Sequence, residues 1–438
     1  MRRTAGIWVL IALFVVLRGL WCALIIPPWQ GPDEPMHFVL AVSSVAGRMS
    51  EEDRVHMESE VIRSMARHRF WELTGQIEPD PLPMIIRSSA HIPAPTLYHR
   101  LLGVWLTAAG APPLDGEWPG ATNVGSLLRA GRLMSVALHG AAVVMLGTAA
   151  ALVSGSMSLA VLTALLCAAH PQLTFIGACL NSDNLVVLLA GMAVFFICRM
   201  VRSPTNRVRG ALLLLCLVAP IAKRSGIALT VTVLPTVLFP ALRRRRHALR
   251  AVAVGAGVVL VAVGGLWLLG MGRSMVIDMR EVLGVGGFVG DRPPGWWQTY
   301  AAHFWETFWG SYGWVQCPLP GWWLRAIGIC AATTLVMVPA GVRRLAKAQG
   351  LWVVLAVCAA QVALAVAQVA VAQGMRVELG QGRHAFVGLP GLCLLLAVGV
   401  RGLLPVRWGP RALVAVGIAA VVLSEAALWC VAVPCFLR

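Results

Sequence analysis

Charged residues are scarce in this sequence: Asp, Glu, Lys and Arg make up only 13% of its 438 residues, while 58% are hydrophobic. A soluble chain of this length would form two or three domains with about a quarter of its residues charged, so a water-soluble fold is excluded. Acids are the scarcest, 19 against 36 Lys and Arg, for a net charge of +17. No basic stripe is interleaved with stacking aromatics, however, so no nucleic-acid partner is expected. The 11 cysteines include no CxxC pair and no metal-ligand spacing with His, and most lie inside apolar runs. They read as small core hydrophobes. No internal repeat and no soluble linker or tail is visible, and residues 1–438 read as a single polytopic membrane domain.

What the sequence does have is a succession of apolar runs of about 18 residues or more, each able to cross a hydrocarbon core ~30 Å thick as a helix. Strand-based barrels show no such runs. The runs predict an all-α integral membrane protein with about eleven spans: 6–26, 133–152, 158–178, 184–200, 210–222, 226–242, 251–271, 323–341, 351–373, 385–400 and 412–434. The first has a basic flank like a signal peptide, but no small-residue cleavage site follows it, so it reads as a retained helix.

The cations cluster in short loops: Arg2 and Arg3; Arg199, Arg202, Arg207 and Arg209; Arg243 to Arg246; Arg343, Arg344 and Lys347; Arg401, Arg407 and Arg411. Taken as cytoplasmic anchors, they fix the remaining loops by parity. The apolar segment 96–110 then has to lie at the outer face, because counting it as a span would invert every basic loop downstream. Residues 27–132 thereby become one long external loop. Within it, Met57, Val61, Ile62 and Met65 share a helical face opposite charged residues, the pattern of an interfacial amphipathic helix. A second external segment, 272–321, holds Trp296, Trp297, Trp305, Trp309 and Trp314. These rings read either as an aromatic belt or as walls of a lipid or sugar site.

The same parity gathers the chemistry-bearing residues on the outer face. Asp33 and Glu34 follow the first span between Pro32 and Pro35, which stiffen the backbone where it leaves the membrane. A carboxylate there can take a proton from a sugar hydroxyl or hold a divalent metal ion, and His37, one turn on, can share either task. Asn181 and Asp183 open the fourth span; Lys223 and Arg224 tip a short hairpin; Gln381, Arg383 and His384 precede the tenth span. External cations run against the positive-inside bias and suit a phosphate held at the outer leaflet. Acids beside cations at one interface fit glycosyl transfer from a lipid phosphate: the incoming hydroxyl needs a base, and the departing phosphate needs Lys or Arg. A transporter or flippase of a lipid-linked saccharide, or an envelope-assembly scaffold, are the alternatives; the first would need polar groups near mid-bilayer.

The segment PDEPMHF from Pro32 resembles the acidic motif that opens the first external loop of GT-C membrane glycosyltransferases. Together with HIPAPTLYH from His91, NSDN from Asn181, FWETFWGSYGW from Phe304 and GQGRHAF from Gly380, in that order, it makes the chain similar to a bacterial family within that superfamily known as domain of unknown function 2142. The resemblance implies a GT-C-like helical bundle in the bacterial plasma membrane. It also implies a polyprenyl-phosphate sugar donor, an extracytoplasmic active site and an envelope glycan, lipid or protein acceptor. By position it makes Asp33 the base, Asp183 the second acid that in some members helps to hold a metal, and Lys223 a recurrent lysine. Tyr98 falls in the acceptor-side motif, where Thr96 and His99 depart from the usual pattern.

Overall fold

The structure, a computed structural model, describes residues 2–45, 51–75, 95–111, 121–242, 294–345, 350–373, 381–405 and 408–437. Helix α1 (Arg2–Ile25) has no breaker along its length and ends before Pro27 and Pro28. Its apolar residues encircle it. Ile11, Val15 and Cys22 are buried in the protein, whereas Val9, Leu10, Leu13 and Leu24 face outwards, as expected of a helix with lipid on one side.

Four shorter helices follow: α2 (Glu34–Val45), α3 (Glu51–Arg67), α4 (Phe70–Thr74) and α5 (Leu97–Ala108). At 12 residues α5 is too short to span. The apolar face of α3 is covered by protein rather than left for a membrane surface. Met57, Val61 and Met65 are buried, Ile62 is half-buried, and Trp29 Nε1 donates to Ser64 Oγ at 3.1 Å.

The chain then enters α6 (Ala121–Ser154), which takes up residues 121–132 that the sequence reading left in a loop. Its 34 residues extend about 51 Å at 1.5 Å each, well beyond the hydrocarbon core. Next come α7 (Met157–Ala168) and α8 (Pro171–Gly177), bent 69° apart where His170 caps α8 and Pro171 opens it. They are followed by α9 (Asp183–Arg202), α10 (Asn206–Ala222) and α11 (Ile227–Leu242). After them stand α12 (Trp296–Trp309) and a hairpin of β1 (Ser311–Tyr312) with β2 (Cys317–Pro318), antiparallel with Tyr312 opposite Cys317. The rest is helical: α13 (Gly321–Val336), α14 (Val338–Arg344), α15 (Leu351–Gln373), a 3-10 segment (Gly382–Gly388), α16 (Leu389–Leu403), α17 (Gly409–Ala427), a π-helical turn (Leu428–Ala432) and α18 (Val433–Leu437).

Among the described residues six helices are long and apolar enough to cross a membrane, or eight if the α7–α8 and α13–α14 pairs each count as one bent span. The protein is therefore a multi-pass membrane protein. The α10–α11 hairpin falls short of this criterion, with Pro220 inside α10. The expected span 251–271 lies outside the described residues.

The cysteine reading needs one correction. Cys317 and Cys435 form a disulfide between the hairpin and α18. Neighbouring elements of an otherwise lipid-embedded fold hid the pairing, since the two lie 118 residues apart. Cys22, Cys167, Cys179, Cys198, Cys216, Cys358 and Cys393 are free and buried, as expected of small apolar side chains.

Candidate functional site

The site forms where α1 leaves the bundle. Arg132 of α6 reaches across to that helix end, its guanidinium donating to the carbonyls of Ala23 (3.0 Å), Ile26 (2.6 Å) and Pro27 (2.9 Å). Its remaining N–H groups grip both oxygens of Glu34, at 2.9 and 2.8 Å. The backbone N–H groups of Gly31 (2.9 Å) and Leu180 (3.0 Å) complete the carboxylate's partners. Glu34 and Arg132 are both fully buried. Glu34 thus holds the loop to α6 and to the start of α9, with no oxygen to spare for a substrate. A lone Arg at the edge of an apolar run requires a buried acid partner; that signal was present in the sequence and was missed.

Pinning Glu34 fixes its neighbour. Asp33 adopts φ 62°, a left-handed conformation that is uncommon outside glycine and clusters at functional sites. Its side chain, 38% exposed, meets Arg383 Nη2 at 2.7 Å. Partial burial opposes its ionisation, but Arg383 overrides this, with His37 and His384 adding to the effect, and the carboxyl is held below the usual range. Arg383 itself is buried and belongs to the 3-10 segment. Gly382 lets that segment press against α12: its N–H donates to Thr307 Oγ1 at 2.7 Å, and a Cβ there would fall 2.2 Å from the Phe304 carbonyl oxygen. Arg383 Nε and Nη1 are buried with no hydrogen-bond partner among the described residues.

A second pair lies beside the first. Lys223 Nζ meets Asp183 Oδ1 at 2.6 Å, while Asp183 Oδ2 is buried and unpartnered among the described residues. Asn181 joins the pairs: its Oδ1 accepts from the Asp183 N–H (2.9 Å), and its Nδ2 donates to the carbonyl of Pro32, next to Asp33. His37 feels all four charges, those of Asp33, Lys223, Arg383 and Asp183. Burial lowers its pKa to about 4, so the imidazole is neutral near pH 7.

Its tautomer follows from the chain of hydrogen bonds behind it. The Thr96 N–H donates to His99 Nδ1 at 2.9 Å, which leaves the His99 proton on Nε2, and that nitrogen lies 2.9 Å from His37 Nδ1. His37 therefore carries its own proton on Nε2. Burial, then the charge of a protonated His37 and of Lys223, keep His99 well below its ordinary pKa. Tyr98 is fully buried, its ring edge-on to His37 at 5.7 Å.

The structure thus brings together Asp33, His37, Asn181, Asp183, Lys223, Arg383 and half-buried His384. Arg224 stands one residue from Lys223, its carbonyl accepting from Gln368 Nε2 at 3.1 Å, and half-buried Gln381 precedes the 3-10 segment. Asp33 and Asp183 do not fit a divalent metal as they stand. Each faces a cationic side chain, and among the described residues no three His, Cys, Asp or Glu side chains form a metal-binding group. Unpaired guanidinium N–H groups next to an ammonium fit an oxyanion instead.

A family model described as "Predicted membrane protein (DUF2142)" matches residues 121–387, more than half of the chain. The chain belongs to this family. Its matched region contains Asp183, Lys223 and Arg383, while Asp33, His37 and Tyr98 precede it. No curated protein and no solved structure matches the chain.

Proposed function

We propose that this DUF2142 protein is a GT-C-type, inverting glycosyltransferase of the bacterial plasma membrane, moving a sugar from a polyprenyl-phosphate donor to an extracytoplasmic envelope acceptor. The observation that carries the reading is Arg383, buried with Nε and Nη1 unpartnered among the described residues, flanked by Lys223 and bonded to the acid of a strained loop. The donor phosphate takes those N–H groups and the Lys223 ammonium. Arg383 is then shared with, or drawn from, Asp33, and the carboxylate gains basicity as its cation turns to phosphate. Asp33 accepts the acceptor hydroxyl's proton as that oxygen bonds to the anomeric carbon. The bond from this carbon to the phosphate oxygen breaks on the opposite side, and its electron pair leaves with the lipid phosphate beside Lys223 and Arg383. Glu34 positions Asp33 through Arg132, and the neutral His37–His99 pair offers a fixed donor at the acceptor side.

Two features support an extracytoplasmic face. The Arg-bearing ends of α14 and α16 meet at the end of the bundle away from the site, where Arg344 donates to the Arg401 carbonyl at 3.0 Å. The Cys317–Cys435 disulfide stands at the site end, where Trp314 of the same hairpin donates to the Trp29 carbonyl at 3.0 Å. The eleven spans expected from the sequence, of which 251–271 lies outside the described residues, are compatible with this arrangement.

Lipid-linked saccharide translocation draws on one observation, an intramembrane ion pair of Arg18 with Glu425. Arg18 is also bonded to Thr174 Oγ1 (2.9 Å), Ser424 Oγ (2.7 Å) and the Ala168 carbonyl, so each of its three nitrogens is engaged and it serves better as a lock between α1, α7, α8 and α17.

The test is mass analysis of lipid-linked sugars and envelope glycan in a deletion strain complemented with wild type or Asp33→Asn. Wild type restores a missing glycan residue and clears an accumulated donor. Asp33→Asn, folded and in the membrane, loses at least about a hundredfold in turnover, the scale of general-base catalysis. Near-wild-type turnover in that variant would refute the assignment of Asp33 as base.

A further inference from the structure

A cavity of about 520 Å³ opens between α7, α13, α16 and α17, walled by apolar side chains such as Leu166, Ile327, Leu396 and Leu423. His170 and Trp309 also line it, their rings stacked at 4.8 Å. Leu173 N–H donates to His170 Nδ1 at 3.2 Å as α8 begins, so His170 carries its proton on Nε2. That Nε2 and Trp309 Nε1 are both buried with no partner among the described residues. Buried donors of this kind are nearly always satisfied, most often by a group from outside the chain where the chain supplies none. Two unpartnered N–H groups on stacked rings that line an otherwise greasy groove ask for an acceptor oxygen attached to a long apolar body.

We infer that this groove binds one bilayer glycerolipid, with an ester carbonyl accepting from His170 Nε2 and Trp309 Nε1 and its acyl chain lying between α13, α16 and α17. A carbonyl has two lone pairs and can serve both donors. Trp322 and Trp323, at the same cavity, mark the headgroup level just beyond the ester region. An isoprenoid chain fits less well, because its hydrocarbon offers no acceptor at that depth. Nor does the groove wall present a cation for a phosphate: the Arg18 guanidinium, bonded to lining residue Ser424, is taken up by Glu425 and its other partners.

The experiment titrates the purified full-length protein, stripped of lipid in mild detergent, with dioleoyl phosphatidylglycerol or with its diether analogue, which lacks both carbonyls, and reads bound lipid by native mass spectrometry. Wild type prefers the ester by roughly 25-fold, since two net hydrogen bonds are worth about a factor of five each. Trp309→Phe keeps the ring stack, and His170→Asn keeps an N-cap acceptor for α8; each reduces the preference to a few-fold, and together they abolish it. Equal affinity for ester and ether in wild type overturns the inference, as does a preference unchanged in both variants. Recovery of an isoprenoid lipid in place of a glycerolipid from the native membrane also overturns it. Glycosyl transfer plays no part in the readout, so this proposal and the enzymatic one fail separately.

Discussion

Asp33 and Glu34 are adjacent acids with different environments, and the difference dictates opposite outcomes when each loses its charge. Glu34→Gln leaves Arg132 charged, buried and short of its partner, a class of change that costs about 3–5 kcal/mol. Its expected phenotype is a lower melting temperature and less folded protein in detergent. Asp33→Asn keeps an acceptor for Arg383 at a partly exposed position and is expected to fold normally while losing turnover. A Glu34→Gln protein as stable as wild type would show that the buried pair is not what holds the loop. The His37–His99 pair gives a pH signature. His37 titrates at about 4 in the fold against 6.5 ordinarily, with His99 lowered in the same direction, so only the unfolded chain takes up protons as the pH falls through 6.5. Stability is thus complete above about pH 6.5 and is lost as the pH drops towards 4. The difference in melting temperature between pH 7.5 and pH 5 should be smaller in the His37→Gln, His99→Gln double variant than in wild type. A low-pH loss undiminished in that variant would place its origin elsewhere. From sequence, the acids were visible but their division of labour was not: it depends on Arg132, 98 residues away in the chain.

At the scale of elements, α16 passes so close to α13 that a Cβ on Gly399 would fall 2.0 Å from the Thr334 carbonyl oxygen. Rigid backbone gives no room there. Gly399→Val should therefore separate the helices at a cost of at least about 1–3 kcal/mol, read as a lower melting temperature. Gly210 in α10 meets nothing within 4 Å, and Gly210→Ala should instead leave stability unchanged or raise it by up to about 1 kcal/mol. If both variants melt alike, the α13–α16 contact is not tight. Hydropathy revealed where such helices run, because lipid enforces long apolar segments. It was less informative for α3, whose Met57–Val61–Met65 face has the same period whether lipid or protein covers it, and for α6, whose extension to Ala121 is partly polar. Breaks such as the 69° bend at His170–Pro171 left a proline in the sequence but no indication of angle.

For the whole molecule, the proposed function depends on which side of the membrane bears the Asp33–Arg383 and Asp183–Lys223 pairs, and two independent signals bear on it. Charge counting assigns the Arg-rich ends to the cytoplasm by a statistical bias of insertion. The disulfide speaks through redox chemistry: Cys317 and Cys435 pair stably only in an oxidising compartment, and the hairpin that holds Cys317 also bonds to Gln172 and Trp29 around the site. Sequence separation hid this second signal, so the agreement was not built into the topology reading. Both require the C-terminal end and the 311–318 hairpin to share one side. Intact cells treated with a membrane-impermeant maleimide, with and without prior exposure to an impermeant phosphine reductant, provide the check. In a protein whose other cysteines are replaced by Ala or Ser, labelling of Cys317 and Cys435 should appear only after reduction. A single cysteine introduced at Arg344 should resist the reagent until the membrane is opened. Labelling of Cys317 and Cys435 without reductant would mean that the disulfide does not form, and labelling of the Arg344 position in intact cells would turn the site to the cytoplasm and remove the extracytoplasmic acceptor from the proposed reaction.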